Sequence, residues 1–408
     1  MKDTNKKSYD VIVIGAGASG MMAAIVAAGK GARVLVLEHK DKIGKKILAT
    51  GNGKCNFTNE DMSREYFRGD ASLIENVLSE FDQKDSLSFF ENLGIFPKNR
   101  NGYFYPNSEQ AASIVFALEN QMQKSGVKVL LPVSVSDIKK KNKFCVSTDA
   151  GQFESDKLII ATGLLANPKL GSDGSIFDIL KSLGHRFNTI VPALCGFYCK
   201  GMDFKKCAGV RAEGQVKALI DGVEAASDEG EIQFTDYGMS GIPVFQISRY
   251  ISIALHNRQR CEIEFNLFGN MTESDVFWLL KDRIDILKTC TLLDFFNGLI
   301  NQKLAKAILT QSGLSYETDI MKLNECDIKK LTHALCCNRV VVEKSRGFEF
   351  AQVCAGGIRT EEIDSRTLES KIIKGLYFAG EILDVDGICG GYNLQWAWSS
   401  GFVVGNEV

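Results

Sequence analysis

Three glycines and one acid stand where a phosphate-bearing ligand would need them. In "VIVIGAGASGMMAA", Gly15, Gly17 and Gly20 take the spacing GxGxxG between an apolar run and a run of small residues. The first glycine permits a tight turn, and the second lets the backbone approach a pyrophosphate. The third lets helix and strand pack closely. Ala18, Ser19 and Gly20 then open the helix, whose N-terminal N–H groups and dipole favour an anion. Glu38, followed by His39, ends the next apolar run about 20 residues on, where an acid bonds the adenosine ribose and repels a 2′-phosphate. A bare GxGxxG is a weak signal. With the acid at the right distance it predicts a dinucleotide site.

The other end of the chain says which dinucleotide. "GLYFAGE" ends a strand-like run with Gly380 and Glu381, and "ILDVDGICGGYNLQWAWSSG" then enters a helix through Gly390 and Gly391. A nicotinamide cofactor needs no such distant segment. FAD does, because its extended form reaches from the adenine site to a flavin on the far side of the domain. An acid at the strand end can hold ribitol hydroxyls. A helix N-terminus can stabilise negative charge on the reduced flavin's N1–C2=O edge.

The elements that must hold these residues are legible in outline. The apolar run 11–15 predicts a buried parallel strand, 18–31 a helix of small residues closed by Gly29 and Gly31, and 33–38 a second strand. A helix is expected near 71–93, another over 108–125, a strand at 127–131 and a hairpin across 133–149. The run Lys139–Lys141 reads as the solvated turn of that hairpin. "DKLIIATG" is another buried strand ending in glycine. From about 186 to 266 short alternating strands are expected. Helices fill 272–335, opened by the capping box Thr272-Glu273-Ser274-Asp275. The expected division is a Rossmann-like α/β FAD domain over 1–188 and 352–408. It is interrupted by a β-barrel-like domain over 189–268 and 337–351, which carries a helical insertion at 269–336.

At 408 residues the chain is too long for one ordinary core. Its net charge of −2 gives no electrostatic footprint for nucleic acid or an anionic membrane. The opening residues are polar and no apolar stretch reaches the ~20 residues a bilayer requires, so a cytoplasmic protein without leader or anchor is expected. Twelve cysteines lie scattered without a CxxC, which predicts free thiols. Cys55 has no second cysteine between 56 and 144, against a disulfide-reductase role. The four histidines show no ligand spacing, and no metal is expected. Oligomeric state is not readable.

Taken together, the chain resembles the BaiN-like group of bacterial NAD(P)/FAD-dependent oxidoreductases, relatives of the glutathione-reductase-type flavoproteins. The likeness runs through "VIVIGAGASGMMAA", "GKKILATGNGKCNFTN", "LIIATG" with "GSDGS", "FTDYGMSGIPVFQIS" and the stretch from Gly356 to Gly401. It implies that Gly15, Gly17, Gly20 and Glu38 hold the ADP half of FAD. Lys46, Thr50, Gly51, Gly53, Asn56, the Ala161-Thr162-Gly163 turn and the segment Gly380–Leu394 would lie along the cofactor, with Gly390, Gly391, Tyr392, Asn393 and Leu394 at the flavin. Gly51 and Gly53 would bring backbone N–H groups to the ring, while Asn56 and Asn59 tie the turn. Many members carry a histidine after the threonine of the fourth stretch, where this chain has Asp236 and Tyr237.

The expected chemistry is hydride transfer through flavin N5 to an activated C=C bond, with NAD(P)H as transient reductant and an oxo-steroid or bile-acid-like enone as substrate. Tyr392 or Tyr237 is the candidate phenol that polarises the enone carbonyl. Two alternatives are an oxidase passing electrons from a small amine to oxygen, and a non-catalytic or RNA-modification-related flavoprotein. The balanced charge argues against the RNA role.

Overall fold

A computed structural model describes residues 7–269 and 271–408, so most of the polar opening read as lacking a leader lies outside the described residues. The chain divides into two compact units, 1–190 with 353–408, and 191–352.

The first unit is built on a sheet whose central strands are continuous apolar runs. β1 (Lys7–Ile14) pairs in parallel with β2 (Val34–Leu37) on one side and with the long strand Gly151–Ile160 on the other. β2 pairs in parallel with Lys128–Leu130. The long strand changes partner along its length. Residues 151–155 run antiparallel to the hairpin strand Phe144–Thr148, while 158–160 run parallel to Leu376–Phe378. Every residue of Val11–Ile14 and Val34–Leu37 is buried, as both-face coverage of a parallel sheet requires. Because these strands are parallel, Gly15, Glu38, Gly163 and Gly380 all follow carboxyl ends at the same edge of the sheet, where open α/β sheets bind ligands.

Two helices meet closely beside this edge. α1 (Ala18–Gly29) packs against the C-terminal helix Tyr392–Glu407 through glycines. A Cβ at Gly401 would lie 2.5 Å from the Ser19 carbonyl oxygen, and one at Gly405 2.8 Å from that of Ala23. The expected single helix at 71–93 is two, Ala71–Glu80 and Gln83–Asn92. Asp82 breaks it, since its carboxylate accepts from Lys84 and Asp85 N–H and caps a new helix. The Lys139–Lys143 run does turn a hairpin, between Val135–Lys140 and Phe144–Thr148.

The second unit holds a closed antiparallel barrel of six strands, in the order Phe197–Lys200, Gly238–Gly241, Val223–Phe234, Arg211–Ile220, Cys261–Asn266 and Asn338–Ser345. Alternation marks them clearly: in Cys261–Asn266, residues 261, 263 and 265 are buried. One departure from the expected strands is the 15-residue helix Ile242–His256. Its buried residues Val244, Ile247, Ile251 and Ala254 recur at three and four, a helical period, and Pro243 sits in the first turn where proline is tolerated. The helices Glu273–Leu287, Leu292–Phe295, Gln302–Ser312 and Glu325–Cys336 follow, and the Thr272–Asp275 capping box is formed.

Candidate functional site

The glycine turn closes against the end of the long strand. A Cβ on Gly15 would lie 2.5 Å from the Ala161 carbonyl oxygen, and one on Gly20 only 2.0 Å from that of Gly15. A Cβ on Gly17 would meet nothing within 4 Å, and no side chain caps α1 there. An open, uncapped helix N-terminus remains, with Ala18 and Ser19 in its first turn. Glu38 is buried and ties the turn to β2. One carboxylate oxygen accepts from Ala16 N–H and the other from Lys40 N–H, each at 2.8 Å. His39 turns to the same acid, with Nδ1 3.3 Å from Glu38 and Nε2 3.2 Å from Asp173. Thr162 Oγ1 donates to the Gly163 carbonyl oxygen at 3.3 Å.

A second group forms where Gly380 follows its strand. A Cβ there would strike Ser19 Oγ at 2.4 Å, so the strand end and the start of α1 touch. Glu381 faces Lys46, whose Nζ lies 2.6 Å from Oε2, while Oε1 accepts from Cys354 N–H at 2.8 Å. Gly163 belongs to this group: a Cβ on it would lie 3.6 Å from Glu381 Oε2 and 2.8 Å from Ser172 Oγ. Ser172, in the "GSDGS" stretch, was not singled out from the sequence.

The loop after Lys45–Ala49 meets the C-terminal glycines. Gly51, Asn52 and Gly53 all take left-handed backbone, and Cys55 does so too at φ 58°. Thr50 Oγ1 donates back to the Ile47 carbonyl oxygen at 2.6 Å. A Cβ on Gly391, whose φ is 96°, would lie 2.8 Å from the Thr58 carbonyl and 3.1 Å from Asn56 Oδ1. Asn59 Nδ2 donates to the Gly390 carbonyl oxygen at 2.9 Å. The two asparagines thus differ. Asn59 ties the loop across to Gly390, whereas Asn56 Oδ1 is buried with no hydrogen-bond partner among the described residues. Asn393 serves the backbone, bonding the carbonyls of Gly387 and Ile388 and the N–H of Gly387. Leu394 is half-buried in the helix's first turn.

Tyr392 is buried, with its ring 5.0 Å from that of Tyr66 and 5.8 Å from that of Phe67. Burial pushes its phenol well above the ordinary range, with smaller contributions from Tyr66, Tyr103 and Asp61, so it stays a neutral O–H. Cys55 is fully buried, which pushes its thiol up to about 12 despite a bond with Thr50. A thiol held there is no nucleophile at neutral pH. All twelve cysteines are free.

These placements fit FAD. Gly401 abuts Ser19 and Met22, and Gly405 abuts Ala23 and Val26, so α1 and the C-terminal helix run in the same direction. Counting back from these contacts at 1.5 Å per residue, the C-terminal helix begins roughly 10 Å beyond the start of α1. Both N-termini lack a side-chain cap. A pyrophosphate at the first and a flavin N1–C2=O edge at the second would be separated by the five-carbon ribityl chain, with Asn56 Oδ1 awaiting a donor between Gly51 and Gly391.

Tyr237 lies in the barrel unit. The Arg346 guanidinium sits over its ring at 4.1 Å, and its ring stands 5.2 Å from that of Tyr198. Arg346 was not found from the sequence. A further grouping escaped notice there: His333 and Cys337, one turn apart on the helix Glu325–Cys336 and its end, join Glu273 with ligand atoms within 4.8 Å of one another. His333 Nδ1 lies 2.8 Å from Glu273 Oε1, an exposed contact. Among the described residues no helix is long and apolar enough to cross a membrane.

The model of the family described as "HI0933-like protein Rossmann domain" matches residues 9–407. The chain belongs to the HI0933-like family. As an HI0933-like protein it is a BaiN-like flavoprotein of the FAD-dependent oxidoreductase class. It is 42% identical to the 3-dehydro-bile acid delta(4,6)-reductase of Clostridium scindens, over 96% of this chain and 97% of that one. It is 30% identical to the ribosomal RNA dihydrouridine synthase of Escherichia coli, over 98% of both. Among solved structures, 3-ketosteroid delta1-dehydrogenase from Sterolibacterium denitrificans superposes with a TM-score of 0.53 at 13% identity, covering 98% of this chain and 99% of that one. That last likeness is one of fold.

Proposed function

We propose that this HI0933-like protein reduces a C=C bond conjugated to a carbonyl in a steroid- or bile-acid-like acid, using FAD and drawing electrons from NAD(P)H. The observation that carries this most directly is the 42% identity, end to end, with a protein named for reducing such an acid. When bound, FAD supplies the hydride through N5. The chain's own residues supply the rest. The α1 N-terminus and Glu38 hold the ADP half. Lys46, Glu381 and Gly163 flank the ribityl path. Gly391 and the C-terminal helix dipole hold the N1–C2=O edge, and Asn56 Oδ1 is the acceptor for the neighbouring flavin N3–H. Tyr392, kept protonated by burial, is the donor we place on the enone oxygen, with Tyr237 as the candidate from the barrel unit. Hydride and one proton add across one double bond, which becomes single while the carbonyl is kept. The free thiols suit a reducing, cytoplasmic compartment.

Purified protein should be yellow, bleach anaerobically with NADH or NADPH, and then remove the absorbance of a 3-oxo-4,6-diene steroid acid. Flavin that neither nucleotide reduces would end the NAD(P)H part. Reduced flavin that leaves every enone untouched would end the reductase part. Peroxide formed from a small amine would instead favour the oxidase alternative.

A second reading has its own support in the 30% identity with a ribosomal RNA dihydrouridine synthase. The uracil C5=C6 bond is also conjugated to a carbonyl, so the same hydride chemistry would serve. The net charge of −2 gives it no electrostatic support. Dihydrouridine appearing in rRNA on incubation with the reduced protein would establish it.

A further inference from the structure

We infer that Arg346 is an anchor for a substrate carboxylate, its guanidinium flanked by aromatic rings of the barrel unit. Arg346 directly follows the strand Asn338–Ser345, and its backbone N–H donates to the Gly196 carbonyl oxygen at 2.9 Å. The guanidinium lies 3.8 Å from the Phe350 ring centre, 4.1 Å from that of Tyr237 and 5.6 Å from that of Tyr198. Such rings attract the cation through its faces and accept none of its in-plane N–H groups. Nε is buried without a hydrogen-bond partner, and Arg346 forms no ion pair among the described residues. Two other barrel arginines differ: Arg339 pairs with Glu264 at 2.7 Å and Arg211 with Glu231 at 2.6 Å.

A buried N–H without an acceptor is costly, and folded proteins keep few of them. A flat fork of donors, with Nε left without a partner, matches a carboxylate, which accepts two parallel N–H···O bonds. Lys344, 4.8 Å from the Tyr198 ring, adds a second positive charge. Phe350 is 54% exposed, so the patch is open to solvent and offers an apolar face beside the cation. The ligand class is therefore an apolar body bearing a carboxylate. The apolar body rests on the reductase proposal; the anion rests on Arg346 alone.

The test is calorimetric titration of the oxidised holoenzyme with 3-oxo-4-cholenoic acid and with its methyl ester. The native protein should bind the acid at least about tenfold tighter than the ester, as loss of one charge-assisted bond implies. Arg346→Gln should bring the two affinities together, and Arg346→Lys should restore only part of the difference. Circular dichroism and flavin content check that both variants fold; if Arg346→Gln does not, the native ratio and Arg346→Lys decide. Equal binding of acid and ester by the native protein, a ratio unmoved in the variants, or binding of neither compound overturns the anchor. Inorganic phosphate displacing the acid at comparable concentration would overturn its carboxylate character. Turnover is scored separately. Arg346-dependent binding of the acid without reduction leaves the anchor and retires the reductase. Equal reduction of acid and ester does the reverse.

Discussion

Replacing Glu38 by glutamine removes one carboxylate oxygen from a position where both are in use. The acid is 8% exposed, and its two oxygens accept from Ala16 N–H and Lys40 N–H at 2.8 Å. Glutamine offers one acceptor and one NH2, so one backbone donor loses its partner, at a cost of about 1–3 kcal/mol. In a unit of about 250 residues each kcal/mol moves the melting temperature by roughly 2–4 °C, so the apoprotein should melt about 2–12 °C lower. The same change weakens the acceptor offered to the adenosine ribose. Losing a bond to a charged group, about 1.5–3 kcal/mol, predicts FAD binding weaker by on the order of 10- to 150-fold. Differential scanning fluorimetry of apoprotein gives the first number and FAD titration by flavin fluorescence gives the second. A Glu38→Gln protein that melts within about 1 °C of native and holds FAD within about twofold would refute both the tie and the ribose assignment.

Cys55→Ser should keep its flavin and most of its turnover. In the native protein, iodoacetamide near pH 8 should label exposed Cys326 and spare Cys55, which peptide mass mapping would read. A flavin-loaded but inactive Cys55→Ser would return the thiol to the chemistry. Tyr392→Phe should retain FAD and stability, since the phenol makes no hydrogen bond among the described residues, yet slow enone reduction by on the order of 10²-fold. Unchanged turnover would pass the donor role to Tyr237. His185 is buried, 3.2 Å from Glu362 and 3.0 Å from Ser370 Oγ; burial lowers its pKa from 6.5 and outweighs Glu362, which raises it. The unfolded state therefore takes up the proton first as pH falls. Stability from this site is complete above about pH 7 and declines as pH falls through 6.5 toward the lower folded value. The melting temperature should drop between about pH 7.5 and 5.5, and a His185→Gln protein showing the same slope would refute the assignment.

What the sequence disclosed was local. Gly15, Gly17, Gly20 and Glu38 carry their chemistry within two strands and a turn, and the apolar runs 11–15 and 33–38 fix the strands that present them. The capping box at Thr272 and the hairpin at Lys139–Lys143 were legible for the same reason. The break at Asp82 was written in the sequence too, but an apolar pattern continuing on both sides hid it. The helix Ile242–His256 was lost because "IPVFQISRYISIALH" is rich in β-branched residues, which favour strands until burial at a three-to-four spacing decides otherwise.

The site's remaining parts were silent because each needs partners distant along the chain. Gly401 and Gly405 look like ordinary helix residues until Ser19 and Ala23 lie against them, and only that contact makes the two helices parallel and sets their stagger. That stagger would make two separate anion-favouring termini a seat for one extended cofactor. Arg346 sits in "EKSRGFEF" with no local pattern at all, and its rings come from Tyr198, Tyr237 and Phe350 on three separate segments. Tyr237 sets an aromatic face against the Arg346 cation, 4.1 Å from its guanidinium. If Arg346 holds a carboxylate, Tyr237→Leu should weaken acid binding, by removing an aromatic face that flanks the guanidinium, more than it changes binding of the methyl ester. Equal weakening of both would place Tyr237 in general packing and leave its part in positioning Arg346 without support.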